Sequence, residues 1–409
     1  MSQSPLATDF HYQKEHWIAR WLNFFFFFGT GSFAMFLNVY YRSIGLNGTQ
    51  IGVISMLGPA VGIFGATFWG MLRDRSGKMR LIFSLTILGS LFWVLIFSGV
   101  QVFLWMLPIV ALFNLFYTPI LPLIDSNTLR LLGARGQRYG RYRVWGTIGF
   151  TIASLVMGFV YERNGLHTMF VIYPVILLVL LGVGFGLGNQ PVRETRAVGH
   201  SLGEMVRRPE WLVFAVSIFL LGLGANGAIA FVSVKVMAMG GSASLVGLSW
   251  TTIAILEFPL MLFSEPLLRR FGALKLLSLA FIGYAVRIIL YGIMPSPNWA
   301  PFVNFLHGFS FVPLTLGTVA FVNEIAPDYL KATSQGLLAS VLNFSNLAGV
   351  LVAGWLYDQI GPVKVFLVLS GVCLMGLVIF LAGQVVLRRR RLESKVGELR
   401  SVEEEDHIG

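Results

Sequence analysis

The chain has 409 residues, of which 56% are hydrophobic and 12% are charged, and its net charge is +11. Soluble globular chains carry about 25% charged residues, so this composition excludes an ordinary soluble domain. The single cysteine, Cys373, excludes an internal disulfide and a cysteine-rich metal site.

Long apolar runs follow one another along the chain and are separated by short polar segments. A helix needs roughly 20 mostly apolar residues to cross a bilayer, and these runs are too continuously apolar for barrel strands. We therefore predict an all-α integral membrane protein with twelve transmembrane helices, spans 1 to 12, at 17–42, 48–72, 80–100, 103–129, 141–161, 168–188, 211–236, 245–268, 273–294, 299–324, 331–357 and 363–387.

A sizeable polar segment at 189–210 falls between spans 6 and 7. It predicts two six-helix pseudo-repeat bundles, 1–188 and 211–387, joined by a cytoplasmic linker and followed by a cytoplasmic tail at 388–409. The other loops are short, which makes neighbouring spans antiparallel.

The basic residues are distributed unevenly across the predicted membrane. With a cytoplasmic N-terminus, 25 of the 30 Lys and Arg residues fall on the inner face and four on the outer face. This positive-inside signal predicts a multi-pass protein of the cell (inner or plasma) membrane with both termini cytoplasmic. The net charge therefore reflects topology and contact with membrane lipid, and we expect no nucleic-acid partner.

A short motif recurs where spans 2, 5, 8 and 11 end. Copies 1 to 4 begin at Gly70, Gly158, Glu265 and Gly354, and the eighth residue of each is a glycine. Copies 1 and 3 are 195 residues apart, copies 2 and 4 are 196 apart, and the two copies within each half are 88 or 89 apart. Odd copies fall inside and even copies outside, so the quarters are three-helix units of opposite orientation. Such inverted repeats are typical of secondary transporters that work by alternating access.

Copy 1 carries the most complete motif. Its acidic residue can accept hydrogen bonds from helix N-termini and pair with arginines of a neighbouring helix. We therefore predict a gating loop that holds the inner face shut, formed by Gly70, Asp74, Arg75, Gly77 and Lys78. This stretch resembles the signature loop between helices 2 and 3 of the major facilitator superfamily.

Several charged or titratable residues lie within the apolar runs: Asp125, Arg143, Glu257, Arg287 and His307. A charge at the centre of a membrane helix costs about 2.5–3.5 kcal/mol on insertion scales. Such residues usually face a cavity, pair with one another and mark substrate or proton pathways.

Glu257, Arg287 and His307 are predicted to couple transport to protons. Solute that competes for the arginine would free the carboxyl to bind a proton, which links the two binding events. Histidine titrates near neutral pH and can share that proton. We expect the proton to be the coupling ion, with no cofactor and no metal.

The stretch from Tyr139 to Phe150 is similar to the helix-5 entry of the lactose-permease and 3-phenylpropionate-permease branch of the same superfamily. The resemblance implies that Arg143 pairs with Asp125 and contacts substrate, and that Phe150 replaces an aromatic residue that stacks on sugar. Among asparagines in the apolar runs, Asn226 is predicted to bind substrate, and Asn23, Asn38, Asn114 and Asn343 are further cavity candidates.

In the second half, Glu257, Arg287 and His307 match the acid, arginine and histidine of helices 8, 9 and 10 in that branch. The lactose permease has its proton-carrying glutamate three residues after the histidine, where this chain has Ser310. Glu257 is therefore the first candidate for the proton carrier.

These features predict a monomeric secondary active transporter and no enzyme. It would take up a small organic solute with a proton, the solute being a sugar or glycoside or a small aromatic carboxylate. Drug or metabolite efflux by proton antiport is an alternative, although residues 141–161 lack the proline of the efflux motif. A membrane-embedded enzyme or a non-transporting solute sensor are alternatives of another class.

Overall fold

The computed structural model describes residues 5–133, 139–188 and 205–406, and within those ranges it contains helices and no strand. Its α-helices are α1 (Pro5–Ser43), α2 (Gly48–Ser76), α3 (Met79–Ser98), α4 (Phe103–Tyr117), α5 (Ile120–Leu132), α6 (Gly140–Asn164), α7 (Met169–Gly184), α8 (Pro209–Ala238), α9 (Ala243–Leu262), α10 (Ser264–Ile293), α11 (Ala300–Phe305), α12 (His307–Ile325) and α13 (Lys331–Asp406).

Eleven helical segments of the described ranges are long and apolar enough to cross a membrane. The last of them, Thr333–Arg389, has 57 residues, which is roughly twice the length that a single crossing needs. It contains Gly361, whose φ of 83° and ψ of 172° interrupt the helix, and it therefore comprises spans 11 and 12. The prediction of a twelve-span helical membrane protein is confirmed.

Three predicted spans are interrupted helices. Span 4 is built from α4 and α5, which are separated by Thr118 and Pro119. Span 8 is built from α9 and the first residues of α10, which are separated by the turn residue Phe263. Span 10 is built from α11 and α12, which are separated by the single turn residue Leu306, so that His307 begins α12.

The last residue of each motif copy has a positive φ, with a ψ of −2° at Gly77 and of 152°, 167° and 172° at Gly165, Gly272 and Gly361. Gly77, Gly165, Gly272 and Gly361 have φ values of 66°, 84°, 70° and 83°. This left-handed region costs glycine little, whereas other residues rarely adopt it. Each three-helix quarter therefore turns at an equivalent place, as the spacing of the copies predicts.

The two halves meet at the face predicted to be outside. A Cβ on Gly354 would lie 2.3 Å from the carbonyl oxygen of Gly48, and one on Gly247 would lie 2.1 Å from that of Ser154. Helix α13 thus approaches α2, and α9 approaches α6, at backbone contact. Gly70, at the start of copy 1 on the predicted inner face, adjoins open space. This conformation is closed outside.

The predicted linker at 189–210 lies largely outside the described residues, which resume at 205. Helix α8 begins at Pro209, two residues before the predicted start of the second bundle. Helix α13 continues through the predicted tail to Asp406.

Candidate functional site

A carboxylate, an imidazole and a guanidinium from three different spans lie in one row. Glu257 Oε2 is 3.6 Å from His307 Nε2, and Arg287 Nη1 donates a hydrogen bond to His307 Nδ1. Because Nδ1 accepts this bond, the neutral imidazole carries its proton on Nε2 and directs it towards Glu257. The three residues predicted to couple protons therefore lie together, with His307 in the middle.

Arg287 lies at the buried end of the row, on the far side of His307 from Glu257, and is only 1% exposed. Its Cζ lies 5.0 Å from the ring centroid of Tyr284 and 5.9 Å from that of Tyr291. These aromatic rings and His307 partly offset the cost of desolvating the cation. In the described ranges Arg287 has no carboxylate within 4 Å, and its charge acts on Glu257 from a longer distance. Its predicted contact with substrate stays a prediction.

A cavity of about 210 Å³ opens in front of Glu257 and His307, and we call it the charged cavity. The side chain of Glu257 is 31% exposed. Across the cavity, Arg143 Cζ lies 3.6 Å from the ring centroid of Phe27 in a cation–π contact. Phe150 lines the same space. Two predicted substrate residues and the predicted proton carrier thus share one cavity.

Asp125 belongs to α5 and is not among the residues that line the charged cavity. Its Oδ1 accepts a hydrogen bond of 2.6 Å from the hydroxyl of Tyr139. Among the described residues it makes no ion pair with Arg143 within 4 Å. The direct Asp125–Arg143 pair that the resemblance implies is therefore absent in this conformation, because Tyr139 occupies the carboxylate and Phe27 occupies the guanidinium.

Asn226 does not line the charged cavity with Arg143 and Phe150, but lines a second cavity of about 320 Å³. Asn38 and Asn114 line this second cavity as well, and we call it the amide cavity. The other two asparagine candidates, Asn23 and Asn343, line neither cavity. Asn226 is therefore separated from the other predicted substrate residues.

Two motif copies join the halves on the predicted outer face. The carboxylate of Asp358 accepts hydrogen bonds of 2.7 Å from the backbone nitrogens of Gly48 and Thr49, and another of 2.7 Å from Thr49 Oγ1. Glu162 accepts a bond of 3.2 Å from the backbone nitrogen of Ser244. Each acid is the fifth residue of its copy, and each caps the first turn of a helix in the other half. Helix N-termini favour such anionic partners.

The predicted gating loop on the inner face contacts its own half. Asp74, the fifth residue of copy 1, lies 3.0 Å from Arg73 Nη2. Arg73 also donates a 2.8 Å hydrogen bond to Ser126 of α5. Arg75 and Lys78 are exposed to solvent. The same motif thus joins the halves outside, whereas the ion pair of Asp74 on the inner face is made within its own loop.

The family follows from comparison with known proteins. The MFS_1 like family matches residues 16–368 of this chain. The chain belongs to the major facilitator superfamily. It is a multi-pass membrane transporter of the major-facilitator kind, which agrees with its twelve spans and its paired halves.

Two curated relatives cover most of this transporter. It is 28% identical over 352 residues to the maltose permease of Geobacillus stearothermophilus, covering 84% of this chain and 88% of the permease. It is 28% identical over 386 residues to the probable 3-phenylpropionic acid transporter of Escherichia coli (strain K12), covering 91% of this chain and 98% of the relative.

The fold also matches that of solved transporters. The crystal structure of the nucleoside transporter NupG superposes with a TM-score of 0.79 at 17% identity, covering 90% of this chain and 98% of NupG. At that identity the likeness concerns the fold alone.

Some contacts were not anticipated from the sequence. Tyr139 stands in the stretch that resembles the helix-5 entry, but its bond to Asp125 was not foreseen. The roles of Glu162 and Asp358 were also missed, although the repeat carried the signal. An acid occupies the fifth position in copies 1, 2 and 4, and any function of Asp74 should have been sought at the equivalent residues.

Proposed function

We propose that this transporter takes up a small organic solute together with a proton, by alternating access in the cell membrane, as a monomer with both termini cytoplasmic. The proposal rests chiefly on the row of Glu257, His307 and Arg287, whose front opens into the same cavity as Arg143. Ionisable groups at membrane depth that face one cavity are characteristic of proton and substrate pathways.

Coupling between the two ligands would arise inside the charged cavity. The charge of Arg143 acts on both Glu257 and Asp125. A solute that engages Arg143 reduces the stabilisation that this cation gives to an ionised Glu257, and so favours binding of a proton there. By linkage, a proton on Glu257 then favours binding of the solute by the same factor.

The motif copies supply a physical basis for alternation. Asp358 and Glu162 cap helices of the opposite half while the outer face is closed. In the opposite conformation these caps would separate. The pseudosymmetry of the quarters would then bring Asp74 to the N-terminus of α13, which begins at Lys331. Rocking of one bundle against the other exchanges the two sets of contacts.

The substrate is proposed to be a sugar or glycoside or a small aromatic carboxylate. One relative is described as a maltose permease and another as a probable 3-phenylpropionic acid transporter. Arg143 can bind a carboxylate or donate to hydroxyl groups, and Phe27, Phe150 and Trp250 provide aromatic surface in the same cavity.

Uptake into proteoliposomes tests the proposal. The purified full-length chain is reconstituted, a proton gradient is imposed in either direction, and entry of maltose, 3-phenylpropionate and uridine is followed. We expect at least one solute to accumulate when protons flow inward and to stop accumulating when a protonophore is added. Uptake that ignores the gradient for every solute would contradict proton symport, and accumulation only under the reverse gradient would indicate antiport.

The Glu257→Gln variant tests the proton carrier. Glutamine keeps the size and polarity of the side chain but cannot bind and release a proton, so solute exchange should persist while accumulation falls at least tenfold. Glu265→Gln, at an exposed position, is the matched control and should accumulate normally. If Glu257→Gln still concentrates solute, Glu257 is not the proton carrier.

A further inference from the structure

A buried asparagine joins the three spans that supply the row. Asn304 belongs to α11, three residues before His307, and is only 2% exposed. Its Nδ2 donates a 2.8 Å hydrogen bond to the carbonyl of Ser249 in α9, and its Oδ1 accepts a hydrogen bond from the hydroxyl of Tyr291 in α10. We call these two hydrogen bonds the Asn304 bridge.

The partners of Asn304 fix the direction of both hydrogen bonds. A backbone carbonyl only accepts, so the Nδ2 side of the amide has to face Ser249. The Oδ1 side then faces Tyr291, whose hydroxyl has to donate. Arg287 meets the ring of this tyrosine instead of its hydroxyl, with 5.9 Å between Cζ and the ring centroid.

Tyr291 and Ser249 lie on the two helices that supply the ends of the row. Tyr291 follows Arg287 by four residues in α10, which places both side chains on one face of the helix. Ser249 precedes Glu257 by eight residues in α9, about 12 Å along its axis. The Asn304 bridge therefore sets the spacing of α9 and α10 on the predicted outer side of the row.

His307, in the middle of the row, follows directly on the interruption of span 10. The backbone nitrogen of Leu306 donates to the carbonyl of Val303, and that of Phe309 donates to the carbonyl of Leu306. These three-residue turns replace the regular α-helical bonds, and such a change within a helix often marks a hinge. Because Asn304 lies just before the interruption, its side-chain contacts help to set where the imidazole lies.

The outer end of α10 is also held by a buried lysine. Lys235 of α8 is only 2% exposed, and its Nζ donates a 2.7 Å hydrogen bond to the carbonyl of Gly292 in the last turn of α10. Its Nζ lies 5.1 Å from the ring centroid of Phe366. A cation stabilises the carbonyl groups at the C-terminus of a helix. Tyr291, next to Gly292, is therefore a fixed point to which Asn304 connects α9 and α11.

We propose that Tyr291 and Asn304 are positioning residues for proton coupling, which hold the imidazole of His307 between Glu257 and Arg287. The inference rests on the proposed transport function and adds the residues that keep the row in register. Neither Tyr291 nor Asn304 lines the charged cavity, so they act on the proton through the row and not through the solute. Loss of either residue loosens coupling and leaves solute binding in place.

The ratio of protons to solute molecules that enter proteoliposomes tests this role, with whichever of maltose, 3-phenylpropionate and uridine the parent transports. Tyr291→Phe keeps the ring beside Arg287 and removes the hydroxyl, whereas Asn304→Ala removes the whole Asn304 bridge. We expect each variant to lower the proton-to-solute ratio about threefold to tenfold, the usual effect of one lost buried hydrogen bond on an equilibrium. The KM for solute should change little.

Ser370→Ala is the matched control. Ser370 is only 1% exposed, and its hydroxyl donates a 3.0 Å hydrogen bond to the carbonyl of Ala285 in α10. This variant removes a buried bond to the same helix outside the Asn304 bridge. Its melting temperature should fall as that of Tyr291→Phe does, while its proton-to-solute ratio stays that of the parent. An equal fall of the ratio in both variants would overturn the specific role of Tyr291.

The remaining outcomes separate this inference from the proposed function. If the parent moves no protons with solute, the proposed function is contradicted and the positioning role falls with it. If the parent couples, and both Tyr291→Phe and Asn304→Ala keep its proton-to-solute ratio, transport stands and the positioning role is wrong. In the Asn304→Ala background Tyr291→Phe should have little further effect, because the acceptor is already gone. Should Asn304→Ala fail to fold, Tyr291→Phe and its control decide alone.

Discussion

Tyr139 and Phe27 determine the contacts of two charged residues, Asp125 of α5 and Arg143 in the first turn of α6. Tyr139 holds the carboxylate of Asp125 at 2.6 Å, while Phe27 holds the guanidinium of Arg143 at 3.6 Å from its ring centroid. Arg143 therefore stays open to the charged cavity instead of being neutralised by the nearby acid. The hydroxyl of Tyr139 and the ring of Phe27 thus keep the guanidinium of Arg143 available to solute.

The Tyr139→Phe variant tests this arrangement. Without the hydroxyl, Asp125 loses its donor and should draw Arg143 away from Phe27 into an ion pair. A hydrogen bond to a charged group contributes about 1.5–3 kcal/mol, so we expect the KM for solute to rise about tenfold while the maximal exchange rate changes little.

A double-mutant cycle with Asp125→Asn supplies the control for that variant. In the Asp125→Asn background the phenylalanine substitution should have little further effect, because the carboxylate is already gone. Equal effects of Tyr139→Phe in both backgrounds would show that the hydroxyl does not act through Asp125.

At the scale of helices, the two acids that cap helices on the outer face, Asp358 and Glu162, differ in the hydrogen bonds that they accept. Asp358 accepts three hydrogen bonds of 2.7 Å from the first turn of α2, whereas Glu162 accepts one bond of 3.2 Å from the backbone of α9. Each acid also has a favourable positive charge nearby, Arg42 for Asp358 and Arg163 for Glu162, so the difference lies in the hydrogen bonds. We therefore infer that the contact between α13 and α2 contributes more to outer closure than the contact between α6 and α9.

Removing each cap should open the outer face to a different extent. In a Cys373→Ala background that carries Ala34→Cys in the amide cavity, Asp358→Asn should increase labelling by a membrane-impermeant thiol reagent added outside. Loss of the charge and of one acceptor is estimated at about 1–2 kcal/mol, which corresponds to a rate increase on the order of tenfold. Glu162→Gln should have a smaller effect, and Glu265→Gln none. Equal labelling in the parent and Asp358→Asn would mean that the cap does not hold the face shut.

The elements themselves were largely readable from the sequence. Apolar run length and the motif spacing predicted the twelve spans. The glycine at the eighth position of each copy is one of seven glycines with positive φ in the described residues. The interruption at Pro119 has a local cause, because proline lacks the backbone donor that continues a helix. The interruption at Leu306 has no such sequence signal, because Leu306 is not a proline.

At the scale of the whole molecule, the site was only partly predictable. The depth of a residue in the membrane follows from its position along the helix. This was enough to predict that Glu257, Arg287 and His307 lie at similar depths. The rotation of a helix about its axis is set by packing between the halves, so counting did not place His307 between the other two. For the same reason it did not show that Asn226 lines a different cavity from Arg143 and Phe150.

The whole-molecule account holds that solute binding and proton binding are linked within one alternating structure. The most direct measurement is the pH outside weakly buffered proteoliposomes, without an imposed gradient, when a transported solute is added. We predict that the medium becomes more alkaline as solute carries protons inward, and that Glu257→Gln abolishes this change while still exchanging solute. Solute entry with no movement of protons in the parent protein would contradict the account.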